Sequence, residues 1–168
     1  MRWTAAGLIL SVALGSQVVG AAGANKAAGA HNLVEPTGHV WVQRAIDLAA
    51  QKFASVQCQK IFTDFANADG APLSSVLARL KTNPEDYLTQ WIVFVEGDRE
   101  RQCRTKDIAA FTQTGSRVIY VCSSRFTMQP IPNGVVIVIH EMLHALGLGE
   151  HPPTSAEITK RIGERCGG

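Results

Sequence analysis

The sequence predicts an α+β domain in which helices flank a small, mainly antiparallel sheet. Apolar residues recur at helical spacing in residues 39–54 and again in residues 135–146. Between them, residues 91–96, 108–112 and 117–122 form short runs rich in Ile, Val, Phe and Tyr. Residues that favour turns separate these runs, as is typical of short strands. We therefore expect an N-terminal helix, three strands and a second long helix, in that order.

The N-terminal residues are expected to lie outside the folded domain. Arg2 is followed by a long uncharged, mildly apolar stretch, and residues 22–24 (Ala-Gly-Ala) form a small-x-small cleavage site. This pattern predicts a signal peptide over residues 1–24, a flexible leader over residues 25–38 and a single domain over residues 39–168. The alternative is an uncleaved membrane anchor, because the uncharged stretch is long enough to span a bilayer.

Shorter elements are expected at three further places in the domain. Residues 69–72 contain an Asp-Gly-Ala-Pro turn, and a short helix over residues 73–80 follows it. Asn83 precedes a proline and opens another brief helix. The last helix is predicted to start at Thr154, because Glu157 completes a capping box, and to continue to about residue 166.

The charge balance argues against nucleic acid as a partner. The formal net charge is +2, and loss of Arg2 with the signal peptide lowers it to +1. A chain without a strong positive field has no electrostatic footprint for phosphates. After cleavage we expect a monomer with no stable membrane association.

The four cysteines predict two disulfides. All four lie in the mature part, and an even count in an exported chain indicates disulfides with three possible connectivities. We favour Cys103 with Cys122, which joins two neighbouring predicted strands, and Cys58 with Cys166, which attaches the last helix to the first across a long loop. A Cys-ligated zinc site is the alternative, but no CxxC spacing supports it.

The strongest functional signal is an HExxH motif in the second long helix, after an expected loop at residues 128–134. His140 and His144 are four residues apart and face the same side of a helix, where neutral imidazoles can hold Zn²⁺. Glu141 lies beside the coordination position that a water occupies. Gly147 can end the helix with a positive φ and turn the chain back towards the metal.

Together, His140, Glu141, His144 and Gly147 form an HExxHxxG motif that resembles the metzincin branch of the zincin peptidases. This resemblance implies a zincin-like fold and a secreted zinc-dependent endopeptidase. It also implies a third metal ligand ten residues after the first histidine, where this chain has Glu150. No methionine follows Met142, so the methionine-containing turn of metzincins has no counterpart in this sequence.

The identity of the third ligand is left open between three residues and a water. Glu150 is favoured because it occupies the expected position, and His151 follows one place later. Glu157 would match the gluzincin branch, which takes its third ligand from a following helix, but the capping box already explains this residue.

The expected reaction is hydrolysis of a peptide or protein substrate by a metal-activated water. Glu141 acts as the general base and then passes the proton to the leaving amine. Tyr120 is the one candidate for a second electrophile, although packing on the sheet is the favoured explanation for it. Residues 117–122 are expected to form an edge strand that binds extended substrate by backbone pairing.

Two other function classes remain. The chain could be a secreted, zinc-stabilised or catalytically degenerate binding protein, whose metal site would be closed by a fourth protein ligand from among Glu150, His151 and Glu157. It could also be a disulfide-bonded interaction module without a metal.

Overall fold

The computed structural model describes residues 36–167, with side chains from residue 40 onward. The predicted signal peptide and nearly all of the predicted leader lie outside the described residues. The helices are α1 (Pro36–Lys52), α2 (Val56–Gln59), α3 (Ile61–Asp64), α4 (Leu73–Arg79), α5 (Pro84–Asp86) with a π-helical turn at Tyr87–Trp91, α6 (Ser123–Phe126), α7 (Ile131–Ala145) and α8 (Ser155–Cys166). The strands are β1 (Val93–Glu96), β2 (Ala110–Thr112) and β3 (Val118–Val121).

The α+β class is confirmed, but the sheet is mixed rather than mainly antiparallel. Its order is β1-β3-β2, with β3 parallel to β1 and antiparallel to β2. The connection between β1 and β2 carries the chain past the position that β3 later fills, so β2 forms the far edge. The β2–β3 pair is then a hairpin, and because β2 runs opposite to β1, β3 runs in the same direction as β1. Alternation of apolar residues predicts strands but does not specify this order.

Helix α7 lies at the centre of the domain. It packs against α1, α8 and β2, and most of its residues are buried. Ile139, Met142 and Leu143 are fully enclosed in the hydrophobic core. The helix starts at Ile131, within the segment expected to be a loop, because a proline is tolerated in the first turn, where backbone N–H groups have no helical partner.

The favoured disulfide pairing is confirmed. Cys58 bonds to Cys166 and Cys103 bonds to Cys122. Cys58 lies in α2 rather than in the first helix, and Cys103 lies in a 3-10 turn (Gln102–Arg104) rather than on a strand. Two disulfides indicate an oxidising, extracytoplasmic environment. Over residues 36–167, no helix has both the length and the apolar character needed to cross a membrane.

Removal of the Cys58–Cys166 disulfide should destabilise the domain more than removal of the other disulfide. This bond joins residues 108 apart in sequence, whereas Cys103 and Cys122 are 19 apart. Loop-closure entropy predicts losses of about 4–5 and about 3 kcal/mol in the free energy of unfolding, respectively. Urea unfolding of the two double Cys→Ser variants would measure both. A larger loss for the short loop would contradict the entropic explanation.

Candidate metal centre

Helix α7 places the three motif side chains on one buried face. All three are buried, with exposed fractions of 7% for His140, 7% for Glu141 and 6% for His144. The two imidazole rings lie edge to face with their centroids 4.8 Å apart. Spacing of one helical turn therefore brings the two rings together at the surface of the core.

The turn after α7 returns the chain to these rings. Gly147 has φ +104°, and the Leu148 amide donates to the Leu143 carbonyl, which together form a Schellman-type helix end. Leu148 is buried, so the chain is held close to α7 where it reverses. Glu150 then reaches back over the end of the helix, as the glycine in the sequence predicted.

Glu150 is the residue that the structure brings to the two histidines. Its Oε1 lies 3.0 Å from Nε2 of His144 and 3.5 Å from Nε2 of His140. The ligand atoms of these three residues lie within 4.8 Å of one another, so the group could hold a metal ion. Within the described part of the chain, no fourth His, Cys, Asp or Glu belongs to this group.

The two alternative third ligands do not belong to the ligand group. His151 is exposed and lines the same cleft, but it does not belong to the group. Glu157 accepts hydrogen bonds from the backbone N–H and hydroxyl of Thr154 in the capping box that starts α8. The capping role predicted for Glu157 is thus confirmed.

Both histidines use Nδ1 for a hydrogen bond within the protein and present Nε2 to Glu150. Nδ1 of His144 lies 2.7 Å from the carbonyl oxygen of Leu148. Because a carbonyl can only accept, Nδ1 of His144 carries a proton. Nδ1 of His140 lies 3.1 Å from the hydroxyl of Thr159 on α8. The sequence did not single out Thr159, because one hydroxyl on an exposed helix face forms no pattern.

Burial sets the protonation of the site in the metal-free chain. Burial, followed by the neighbouring charge of His144, lowers the pKa of His140 to about 4, so its imidazole is neutral at pH 7. Burial, followed by the charge of Glu150, raises the pKa of Glu141 to about 8. A hydrogen bond from the backbone of Thr112 on β2 opposes that increase.

An open cleft of about 1010 Å³ lies over the histidines. Helix α7 forms its floor, and Ala110 and Thr112 of β2 form one wall. Thr159 and Gly163 of α8 also line it. The motif residues therefore face an open cleft that β2 and α8 help to form.

The prediction that residues 117–122 form an edge strand was wrong. Strand β3 is central, and β2 is the edge strand that lines the cleft. The error follows from the hairpin, which places β2 outside β3. The ring of Tyr120 stacks on Phe111, with centroids 4.9 Å apart, and Tyr120 is not among the cleft residues. Packing on the sheet, the favoured explanation, accounts for this residue.

No protein-family model matches this chain, and no curated protein or solved structure is significantly similar to it. The class that the fold and site define is therefore an α+β domain with two disulfides and a His140/His144/Glu150 group that could hold a metal ion.

The metal-free protein should lose stability between pH 6.5 and pH 8. Glu141 binds its proton more tightly in the folded state, so the free energy of unfolding decreases as pH rises from 4.5 to 8. His140 has the opposite effect between pH 4 and 6.5, where the two contributions largely cancel. Above pH 6.5 only the Glu141 contribution remains, and the expected loss is about 2 kcal/mol.

Urea unfolding at pH 6.5 and pH 8 in a chelator would measure this loss. Glu141→Gln cannot titrate and should show little of it. An equal decrease in this variant would assign the pH dependence to another group.

Proposed function

We propose that this chain is a secreted zinc-dependent endopeptidase. The observation that carries the proposal is the arrangement of His140, His144 and Glu150 around one point, with the buried Glu141 carboxyl beside it, on the floor of an open cleft. The two disulfides support an extracytoplasmic location.

Two imidazoles and one carboxylate fit zinc. This donor set is typical of catalytic zinc sites, in which three protein ligands leave one tetrahedral position for water. When bound, zinc would make that water more acidic and polarise a substrate carbonyl. A structural zinc site would need a fourth protein donor, and none joins the group within the described residues. This favours an enzyme over a zinc-stabilised binding protein.

Glu141 is suited to move a proton in this site. Its carboxyl is buried and receives a hydrogen bond from the backbone of Thr112, which fixes it next to the ligand group. The low-dielectric surroundings that raise its pKa increase its basicity, and a cation beside it would keep it ionised at neutral pH. Glu141 then accepts a proton from the attacking water and delivers it to the amine that leaves.

The edge of β2 is suited to bind an extended peptide. The Cys122 amide donates to the Ala109 carbonyl at 2.9 Å, so Ala109 points its backbone groups towards β3. In an antiparallel ladder successive residues alternate, and Ala110 therefore directs its N–H and C=O away from β3. Ala110 lines the cleft, where these groups can pair with a substrate strand next to the metal ligands.

Cleavage of a quenched fluorescent peptide library by the purified chain tests this function. We expect cleavage in the presence of one equivalent of zinc, loss of cleavage after chelation, and recovery when zinc is returned. Zinc binding without cleavage of any library member would contradict the enzyme and support the binding protein. Cleavage that persists after the zinc has been removed would show that another site or a contaminant is responsible.

A further inference from the structure

Helix α8 contributes one side chain to the surroundings of the histidines. The Thr159 hydroxyl lies 3.1 Å from Nδ1 of His140. This is a contact between two helices, because His140 belongs to α7. The Nδ1 of His144 instead contacts the Leu148 carbonyl, in the turn that ends its own helix. The two potential zinc ligands are thus oriented by different parts of the fold.

The position of Thr159 is fixed by contacts at both ends of α8 and by one buried residue beside it. The Thr154–Glu157 capping box holds the start of the helix, and the disulfide from Cys166 to Cys58 holds its end. Ile158 is fully buried in the core, one residue before Thr159. Because the core fixes the rotation of the helix, the Thr159 side chain is directed into the cleft.

The hydroxyl of Thr159 can fix the ring orientation of His140 through its contact with Nδ1. A metal bound at Nε2 requires the ring proton to be on Nδ1, and the hydroxyl oxygen can accept the hydrogen bond of that proton. Nε2 is then directed towards Oε1 of Glu150, the side on which the metal would bind. A partner of this kind also removes the rotational freedom that the ring would lose on binding a metal.

We propose that Thr159 is a positioning residue that orients the His140 ring and accepts the Nδ1–H hydrogen bond when a metal occupies Nε2. The role of α8 is then to complete the metal site, in addition to closing the core. This inference rests on the zinc site of the proposed function, but it does not depend on the reaction that occurs there.

The test is the zinc affinity of Thr159→Val and Thr159→Ser, measured on the full, disulfide-bonded chain by competition with a chelator. Valine has the same shape as threonine without the hydroxyl, and loss of such a partner typically weakens metal binding about 10–100-fold. Serine retains the hydroxyl and should restore affinity to near that of the wild type. Thr63→Val is the matched control, because it removes an exposed hydroxyl of α3 that donates to the backbone carbonyl of Lys60.

The Nδ1 proton of zinc-bound His140 gives a second readout, which a purely structural role of Thr159 would not change. Long-range ¹H–¹⁵N NMR of the zinc-loaded wild type should show zinc on Nε2 and a proton on Nδ1, and this proton should exchange faster with solvent in Thr159→Val. Coordination through Nδ1 in the wild type would overturn the inference without any variant. Zinc affinity of Thr159→Val within twofold of the wild type would also overturn it, and would leave the proposed endopeptidase intact. A wild-type chain that does not bind zinc would refute both.

Discussion

Replacement of Glu141 with Gln is expected to lower the rate of peptide hydrolysis by about 10²–10⁴-fold while zinc remains bound. The amide has nearly the same shape as the carboxyl but cannot accept the proton of the attacking water. Glu141 is not one of the three residues whose ligand atoms converge, so its replacement leaves the zinc donors in place. Steady-state kinetics on one cleaved peptide, with zinc content measured on the same sample, would show the two effects separately.

The matched control for this experiment is Glu100→Gln. Glu100 is exposed in the turn after β1 and does not line the cleft. We expect this variant to cleave the peptide at the wild-type rate. Retention of activity by Glu141→Gln would contradict a role for Glu141 as the general base, and loss of zinc from that variant would point instead to a role in metal binding.

Replacement of Glu150 with Ala should weaken zinc binding by more than about 100-fold, beyond the usual effect of groups outside the ligand set. Glu150 is the residue whose carboxylate oxygen approaches Nε2 of both histidines. Its side chain is still 41% exposed, so truncation should cost little stability. Chelator competition and urea unfolding of the same variant would measure the two quantities.

The comparison variant is His151→Ala, which removes the neighbouring alternative ligand. His151 lines the cleft but does not join the ligand group, so we expect zinc affinity close to that of the wild type. The reverse result, with strong zinc binding by Glu150→Ala and a large loss in His151→Ala, would assign the third position to His151.

Local sequence patterns predicted the parts of this protein that depend on neighbouring residues. The capping box of Thr154 and Glu157, the end of α7 at Gly147 and the shared face of the two histidines are all set by contacts within a few residues. The disulfide pairing is a long-range feature that the sequence also favoured, because four cysteines allow three pairings and the expected elements place these pairs together.

Other contacts between distant residues could not be predicted from local patterns. The order of the strands depends on where the segment between β1 and β2 crosses the domain, so the sequence did not identify β2 as the edge strand. The contacts of Thr112 with Glu141 and of Thr159 with His140 join separate elements. Each of these residues is an ordinary threonine in the sequence, and only the packing of β2 and α8 against α7 gives it a place in the site.

The zinc content of the purified chain tests the central claim most directly. Elemental analysis should be carried out after equilibration with zinc and removal of the excess, on the wild type and on the double variant His140→Ala/His144→Ala. We predict one zinc ion per wild-type chain and none in the double variant. No zinc in the wild type, or an equal amount in both proteins, would contradict a metal site at the histidines of α7.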